Sequence, residues 1–255
     1  MEISHISKGK LALYSSLSSP KMRVRHGLFT AEGVKCVSDT LAHFDVEAIL
    51  VSPEGIREIV SLGCEDVSVY EVSRDEMKKI SSLSTPSVIM AVYRIPADPE
   101  FEVRNDRLYL CLDGVRDPGN MGTIIRTAHW FGVDTIFASK DSVDIYNPKT
   151  VQSTMGSIAG VKVVYTDLET LFGKYPDLPT FGLMLEGEDI YKAHLGKRGF
   201  IIMGNEGKGI SEKLRAKISN PLLIPPAGEN HGESLNVAVA TAVTLALFAR
   251  NEVAG

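Results

Sequence analysis

Three short loops hold most of the residue types in this chain of 255 residues that could do chemistry. They span residues 113–122, 203–211 and 232–237, and each is rich in Gly, Asn, Glu or Ser. Each also adjoins an apolar stretch typical of a strand or a buried helix. Polar loops at the strand ends of one sheet usually converge on a single pocket. The pattern therefore predicts one composite site built from three loops.

The first loop offers an amide and, in the helix after it, a guanidinium. Asn120 can cap that helix while its amide group still donates hydrogen bonds. Arg126 follows six residues later among apolar neighbours, where it could grip a phosphate through two parallel hydrogen bonds. The alternative interpretation of Arg126 is an ordinary salt bridge to Asp113, Asp117 or Glu206.

The second loop, Met203-Gly204-Asn205-Glu206-Gly207-Lys208-Gly209, superficially suggests a phosphate-binding P-loop. The spacing excludes that motif, because Gly209 follows Lys208 where the P-loop requires Ser or Thr. The first loop likewise lacks the Gly-x-Gly-x-x-Gly dinucleotide fingerprint. Glu206, at the end of a strand, could be an ion-pair partner, a hydrogen-bond anchor or a base, or could simply stabilise the turn.

The third loop, Gly232-Glu233-Ser234-Leu235-Asn236, nearly matches the nucleophile elbow of serine hydrolases. Asn236 stands where that elbow needs its final glycine, so the match is incomplete. Ser234 and Asn236 also suit the start of the apolar helix that follows, since their side chains accept hydrogen bonds from free backbone N–H groups. Both interpretations stay open on the residues alone.

The elements around these loops alternate between strands and helices. Up to residue 95 the pattern is that of a small α/β unit, and Ser73 with Glu76 forms a capping box that opens a helix. The proline-containing stretch 96–105 is the best linker candidate. Beyond it, short apolar strands between helices indicate a mostly parallel sheet covered on both faces. We therefore predict an α/β protein with domains at 1–95 and 106–255.

Charge is unevenly distributed along the chain. The formal net charge of −5 argues against a large nucleic-acid surface. A basic stretch near the beginning nevertheless includes Lys21, Arg23 and Arg25, which could bind the phosphates of a nucleic acid. A solvated, positively charged face is the alternative.

The cysteines and the hydropathy pattern bear on the compartment. Cys36, Cys64 and Cys111 are odd in number and far apart, which suits neither a disulfide framework nor a metal site. No apolar run approaches the ~20 residues of a membrane span. We expect a cytoplasmic protein with reduced thiols and no metal.

Taken together, the loops resemble the three motifs of the SpoU/TrmH family of RNA ribose 2′-O-methyltransferases, within the SPOUT superfamily. The matching segments occur in order at 120–128, at 202–209, and at Ile224-Pro225 with 233–240. The front part, with Lys21 to Arg25 and Phe29 to Gly33, is similar to the family's L30e/L7Ae-like substrate-binding domain.

The resemblance implies a fold, a reaction and partners. It implies a small L30e-like α/β domain followed by a mostly parallel α/β sheet with a C-terminal trefoil knot. S-adenosylmethionine would be the methyl donor, and RNA the substrate, with ribosomal RNA favoured and transfer RNA as the alternative. The enzyme would be a homodimer with its active sites at the subunit interface.

The resemblance also assigns roles to residues. It implies catalytic roles for Asn120, Arg126, Glu206, Ser234 and Asn236. It implies donor binding by Met203, Gly204, Asn205, Gly207, Ile224, Ser234, Leu235 and Asn236. It implies RNA contacts by Lys21, Arg23, Arg25 and Arg126.

The chain departs from the family pattern at three places. The loop at 226–232 is longer than usual, Ala238 stands where Ser is common, and Gln152 where Arg is common. The longer loop could alter the lid of the donor site, and Gln152 could weaken an RNA contact. Two further readings are a knotted relative that methylates a base nitrogen, which Asn120 and Arg126 disfavour, and a non-catalytic RNA-binding protein, which would not bind the donor.

Overall fold

The computed structural model describes residues 3–63, 67–98, 100–228 and 234–253. Contacts divide the chain into two units, Met1–Ala97 with Asp144–Ala159, and Asp98–Val143 with Gly160–Gly255. The segment 144–159 therefore belongs by contact to the first unit, although it is flanked in sequence by residues of the second. The predicted domain limits and the knot stay predictions.

Within the described ranges the strands are β1 Ile3–His5, β2 Leu28–Glu32, β3 Val46–Val51, β4 Val69–Glu71, β5 Ile89–Arg94, β6 Leu108–Leu112, β7 Thr135–Ala138, β8 Lys162–Tyr165, β9 Thr180–Asp189, β10 Gly199–Met203 and β11 Asn220–Leu223. The helices are α1 Lys8–Ser16, α2 Pro20–His26, α3 Val34–Thr40, α4 Ile56–Leu62, α5 Arg74–Ile80, α6 Pro118–Trp130, α7 Pro148–Thr154, α8 Leu168–Lys174, α9 Glu212–Arg215 and α10 Val237–Val253. Short 3-10 turns occupy Pro53–Gly55 and Ser157–Ala159.

The first unit is built on a mixed sheet with strand order β1-β4-β3-β5-β2. Strand β5 runs antiparallel to both β3 and β2, whereas β1, β4 and β3 are parallel. One face of the sheet buries a core that contains Phe29 and Tyr93. The segment 144–159 adds Val151 and Ile158 to this core, and Tyr146 stacks on Phe29 with ring centroids 4.6 Å apart.

The second unit is built on a parallel sheet with strand order β11-β9-β10-β6-β7-β8. Its central strands β6 and β10 are apolar throughout and almost fully buried, as expected for a parallel sheet covered on both faces. Met203, at the end of β10, lies in register with Leu112, at the end of β6. The loops that follow these two strands therefore start side by side, which is the arrangement that the sequence predicts.

The predicted α/β architecture with a parallel sheet is confirmed, and the element bounds need correction in places. Helix α6 begins at Pro118 rather than at 122, because Asp117 accepts a hydrogen bond from the backbone N–H of Asn120 and caps the helix. Asn120 is thus inside the helix and is not its cap. The capping box of Ser73 and Glu76 forms as predicted. In the described ranges, no helix is both long and apolar enough to cross a membrane.

Candidate active site

The first two loops are joined by hydrogen bonds at the carboxyl edge of the parallel sheet. The backbone N–H of Asp113 donates to the carbonyl of Met203 over 2.9 Å. The Asp113 carboxylate accepts from the backbone N–H of Ser211 over 2.7 Å. The Asn205 amide donates to the carbonyl of Gly114 over 2.7 Å. These contacts fix the second loop against the first.

A chain of side-chain hydrogen bonds then links all three loops. Asn236 donates to the Oδ1 atom of Asn120 over 2.9 Å, and Asn120 donates to the Oε1 atom of Glu206 over 2.9 Å. The other Glu206 oxygen accepts from Asn205 over 3.3 Å. We call Asn236, Asn120 and Glu206 the amide–carboxylate chain.

The network itself determines how each amide is oriented. The Asn236 Oδ1 atom accepts from the backbone N–H groups of Ala238 and Val239, so it caps α10. Its Nδ2 must then point the other way, towards the oxygen of Asn120. That leaves the Asn120 Nδ2 facing Glu206, which as a carboxylate can only accept. The cap of one helix thereby sets the direction of the whole chain.

The second loop forms a tight turn. Two of its positions require glycine because of the path of the backbone. A Cβ atom on Gly204 would lie 2.3 Å from the carbonyl carbon of Gly209. Gly209 itself has a φ of +68°, in the left-handed region that favours glycine. The Asn205 Oδ1 atom accepts from the backbone N–H groups of Gly207 and Lys208, over 3.0 and 3.1 Å. Hydrogen bonds within the loop itself therefore hold the shape of the turn.

A cavity of about 710 Å³ lies beside this turn, within the range of ~300–1,000 Å³ usual for small-molecule sites. Its walls come from the middle of β9, from the ends of β10 and β11, and from the described part of the third loop. Seven of the eight residues predicted to bind the donor line it: Met203, Gly204, Asn205, Gly207, Ile224, Ser234 and Leu235. Asn236, the eighth, is not a lining residue and acts in the amide–carboxylate chain instead.

The chemistry of the cavity fits S-adenosylmethionine. Leu185, Ile224 and Leu235 provide apolar surface for a flat purine, and the glycines of the turn leave backbone polar groups accessible. Glu206 also lines the cavity, so a carboxylate is present for a cationic ligand. Glu233 and the loop at 229–233 lie outside the described residues.

Arg126 lies on an exposed face of α6 together with Thr123 and Trp130. Among the described residues it forms no hydrogen bond or ion pair, so the alternative of a salt bridge to Asp113, Asp117 or Glu206 is wrong for this structure. Nor is it bonded to the amide–carboxylate chain. Its guanidinium therefore stays available for a ligand.

The basic residues near the start of the chain differ in their exposure to solvent. Lys21 and Arg25 are exposed on α2, as an RNA contact would require. Arg23 is fully buried: its Nε and Nη2 atoms donate to Asp144, and its Nη1 donates to two backbone carbonyls. This position is incompatible with the predicted RNA contact. The basic residues lie on helix α2, and the helical geometry places Arg23 on its buried side.

The serine hydrolase alternative finds no support in the described residues. No described histidine is hydrogen-bonded to Ser234, so the base that a serine hydrolase needs is not in place there. Burial raises the pKa of the Cys36 thiol to about 11 and that of Cys111 well above its ordinary value, so neither is a reactive nucleophile. Within the same ranges no cluster of His, Cys, Asp or Glu could hold a metal ion.

Two residues of the cavity wall, Leu185 and Arg215, are examples that motif analysis did not find. Leu185 is 74% exposed at a strand that the sequence marked only as apolar. Arg215 ends α9, a short helix that carries no periodic signal and was not predicted. Both lie outside the three motifs, so residue type and spacing gave no reason to select them.

The similarity of this chain to known protein families agrees with this geometry. The SpoU rRNA Methylase family matches residues 107–246, which is more than half of the chain, and the MRM3-like substrate binding domain matches residues 12–91. The chain belongs to the SpoU rRNA methylase family, as the three motifs predicted.

Three relatives illustrate the match. The 23S rRNA (guanosine(2553)-2′-O)-methyltransferase RlmP of Bacillus subtilis is 32% identical over 246 residues, which cover 95% of this chain and 96% of RlmP. A structure from Porphyromonas gingivalis described as an RNA methyltransferase of the TrmH family is 34% identical, with a TM-score of 0.86, and the match covers 96% of this chain and 99% of that one. An AdoMet-bound rRNA methyltransferase from Sinorhizobium meliloti is 25% identical, with a TM-score of 0.84 and 98% coverage of both chains.

Proposed function

We propose that this protein transfers a methyl group from S-adenosylmethionine to a ribose 2′-hydroxyl of ribosomal RNA. The observation that carries the proposal is the amide–carboxylate chain, which joins all three motifs beside a cavity of suitable size and chemistry. RlmP, which matches along nearly its whole length, is by name a 23S rRNA 2′-O-methyltransferase. The S. meliloti neighbour, by its description, binds AdoMet.

In this proposal the protein acts mainly by positioning. Bound S-adenosylmethionine supplies a methyl group that its sulfonium charge has already activated. Met203, Gly204 and the rest of the turn hold the donor, and the amide–carboxylate chain fixes the polar groups at the edge of the cavity. Correct alignment of two reactants supplies several kcal/mol towards a reaction of this kind.

Arg126 has the role of holding the RNA. Arginine is always charged in proteins and presents a planar fork that matches the oxygens of a phosphate. The Arg126 guanidinium, which has no partner among the described residues, is six residues from Asn120 along α6, so a phosphate held there lies close to the first motif.

The proposed enzyme is a homodimer, and the outer face of α10 supports this. The helix is apolar nearly all round, which is typical of a buried helix. Yet Val239 is 50% exposed, and Ala242, Val243 and Ala246 continue the same stripe at helical spacing without being fully buried. A second copy of the chain would cover this stripe. The cytoplasmic location stays a prediction.

The test of the function is methyl transfer from labelled S-adenosylmethionine to unmodified rRNA and tRNA, followed by nucleoside analysis. Label on a ribose 2′-oxygen of rRNA is the expected result. Label found only on tRNA would mean that the substrate is tRNA. Label on a base would mean that the protein methylates a base nitrogen and not the ribose. Absence of donor binding would favour the non-catalytic RNA-binding protein.

The test of the dimer is a charge placed on the apolar stripe. Val239→Glu should convert a dimer into a species near the monomer mass of 27.8 kDa, measured by light scattering after gel filtration. Val60→Glu is the matched control, because Val60 is also an exposed helical valine, 68% exposed on α4. A dimer that survives Val239→Glu, or a wild-type monomer, would contradict the proposal.

A further inference from the structure

One cation on the wall of the cavity has an unused pair of donors. The Nε atom of Arg215 donates to the carbonyl of Ile210 over 2.8 Å. A Cβ atom on Gly209 would lie 3.4 Å from the Arg215 Nη2 atom, so the guanidinium lies over the glycine turn. Within the described ranges, its two terminal nitrogens have no bonding partner.

This geometry suits the recognition of a carboxylate. With Nε anchored, the guanidinium plane is held on the cavity wall, and the terminal nitrogens can form two parallel hydrogen bonds to one carboxylate. Among the described residues, Lys208 is the other cation that lines the cavity, but lysine is a point charge on a flexible stem, and the hydrogen bond recorded for Lys208 is made by its backbone. Arg215 is therefore the better-placed group.

The charges of the donor complement those of the wall. S-adenosylmethionine has a single anionic group, the α-carboxylate of its methionine part, and carries positive charge on the sulfonium and the α-ammonium. Glu206 also lines the cavity, and its oxygens are held by Asn120 and Asn205. Like charges repel, so the sulfonium is favoured away from Arg215.

We propose that Arg215 binds the α-carboxylate of the donor and so determines which way round the donor lies in the cavity. The inference rests on the proposed use of S-adenosylmethionine. It assigns to Arg215 a binding role that none of the three motifs contains. In this orientation the methionine end is held at the glycine turn, and the sulfonium is directed away from the guanidinium.

The test compares S-adenosylmethionine with its decarboxylated form, which keeps the sulfonium and the amine and lacks only the carboxylate. Isothermal titration of the wild-type protein should show S-adenosylmethionine binding tighter by about tenfold or more, as expected for hydrogen bonds between charged groups. In Arg215→Leu this preference should vanish through weaker binding of S-adenosylmethionine alone. Arg215→Lys should restore part of it, and Lys208→Leu should leave it intact.

Four results would overturn the inference. A wild-type protein that binds both ligands equally has no carboxylate site. Arg215→Leu could instead weaken the binding of both ligands equally, with Arg215→Lys restoring neither affinity. That result would mean that Arg215 only bonds the Ile210 carbonyl and stabilises the turn. Unchanged donor binding with a raised KM for rRNA would assign the guanidinium to an RNA phosphate. A wild-type protein that binds neither ligand would overturn the proposed function as well.

Discussion

Removing the side chain of Asn120 should cost activity by an amount that the structure lets us estimate. Asn120→Ala deletes one hydrogen bond to a carboxylate and one between neutral amides, at 2.9 Å each. Bonds to charged groups contribute about 1.5–3 kcal/mol and neutral ones about 0.5–1.5 kcal/mol. Because these groups are partly exposed, the lower ends apply, and the sum is about 2 kcal/mol. That corresponds to a loss of roughly 30-fold in kcat/KM.

The assay is methyl transfer to rRNA at saturating S-adenosylmethionine, with thermal melting to separate lost activity from lost stability. Asn220→Ala is the matched control, because Asn220, the first residue of β11, forms its side-chain hydrogen bond to the neighbouring Ser219. The control should keep kcat/KM within about twofold of wild type, since surface substitutions of this kind rarely exceed ~0.5 kcal/mol.

A double-mutant cycle with Asn236 decides whether the chain acts as a unit. Asn236→Ala removes the same amide–amide bond and also the cap of α10, so the double variant should lose less than the two single losses combined. The expected shortfall is one neutral hydrogen bond at the lower end of its range, about 0.5 kcal/mol. Strictly additive losses, or an Asn120→Ala variant with wild-type activity, would refute the reasoning.

Three further changes test separate features. Arg126→Lys keeps the charge but loses the bidentate fork, so kcat/KM for RNA should fall about tenfold; near-normal turnover would contradict phosphate binding. Arg23→Met leaves a carboxylate and two carbonyls without their donor, so the free energy of unfolding measured with urea should fall by about 3 kcal/mol. Arg25 is exposed on the same helix, and Arg25→Met should change the free energy of unfolding by less than ~0.5 kcal/mol. Gly204→Ala places a Cβ atom 2.3 Å from the Gly209 backbone, so titration should show weaker donor binding; unchanged affinity would mean that the turn yields at no cost.

Local patterns predicted the strands well and the tertiary partners poorly. Strands 108–112 and 135–138 are short apolar runs that end at a polar residue, and helix 56–62 ends at Gly63, so the local pattern alone indicates these bounds. Helix α2 was missed because its basic side chains dominate the pattern, although Pro20 at its first position and Gly27 at its end are typical helix signals.

The site shows the same division. Residue types and their order identified Asn120, Glu206 and Asn236 as candidates, but nothing in the spacing says that an amide at 236 faces one at 120. That contact joins residues 116 positions apart and depends on which strands are neighbours in the sheet. The burial of Arg23 against Asp144 was hidden for the same reason, since the two residues are 121 positions apart.

The segment 144–159 limits how this gene could be rearranged. Val151, Ile158 and Tyr146 complete the core of the first unit, yet their codons lie inside the stretch that encodes the catalytic sheet. A recombination event near residue 97 would transfer residues 1–97 without these side chains, so the core of the first unit would be incomplete. Exchange of the first unit among such proteins would then require matched changes in two distant parts of the reading frame.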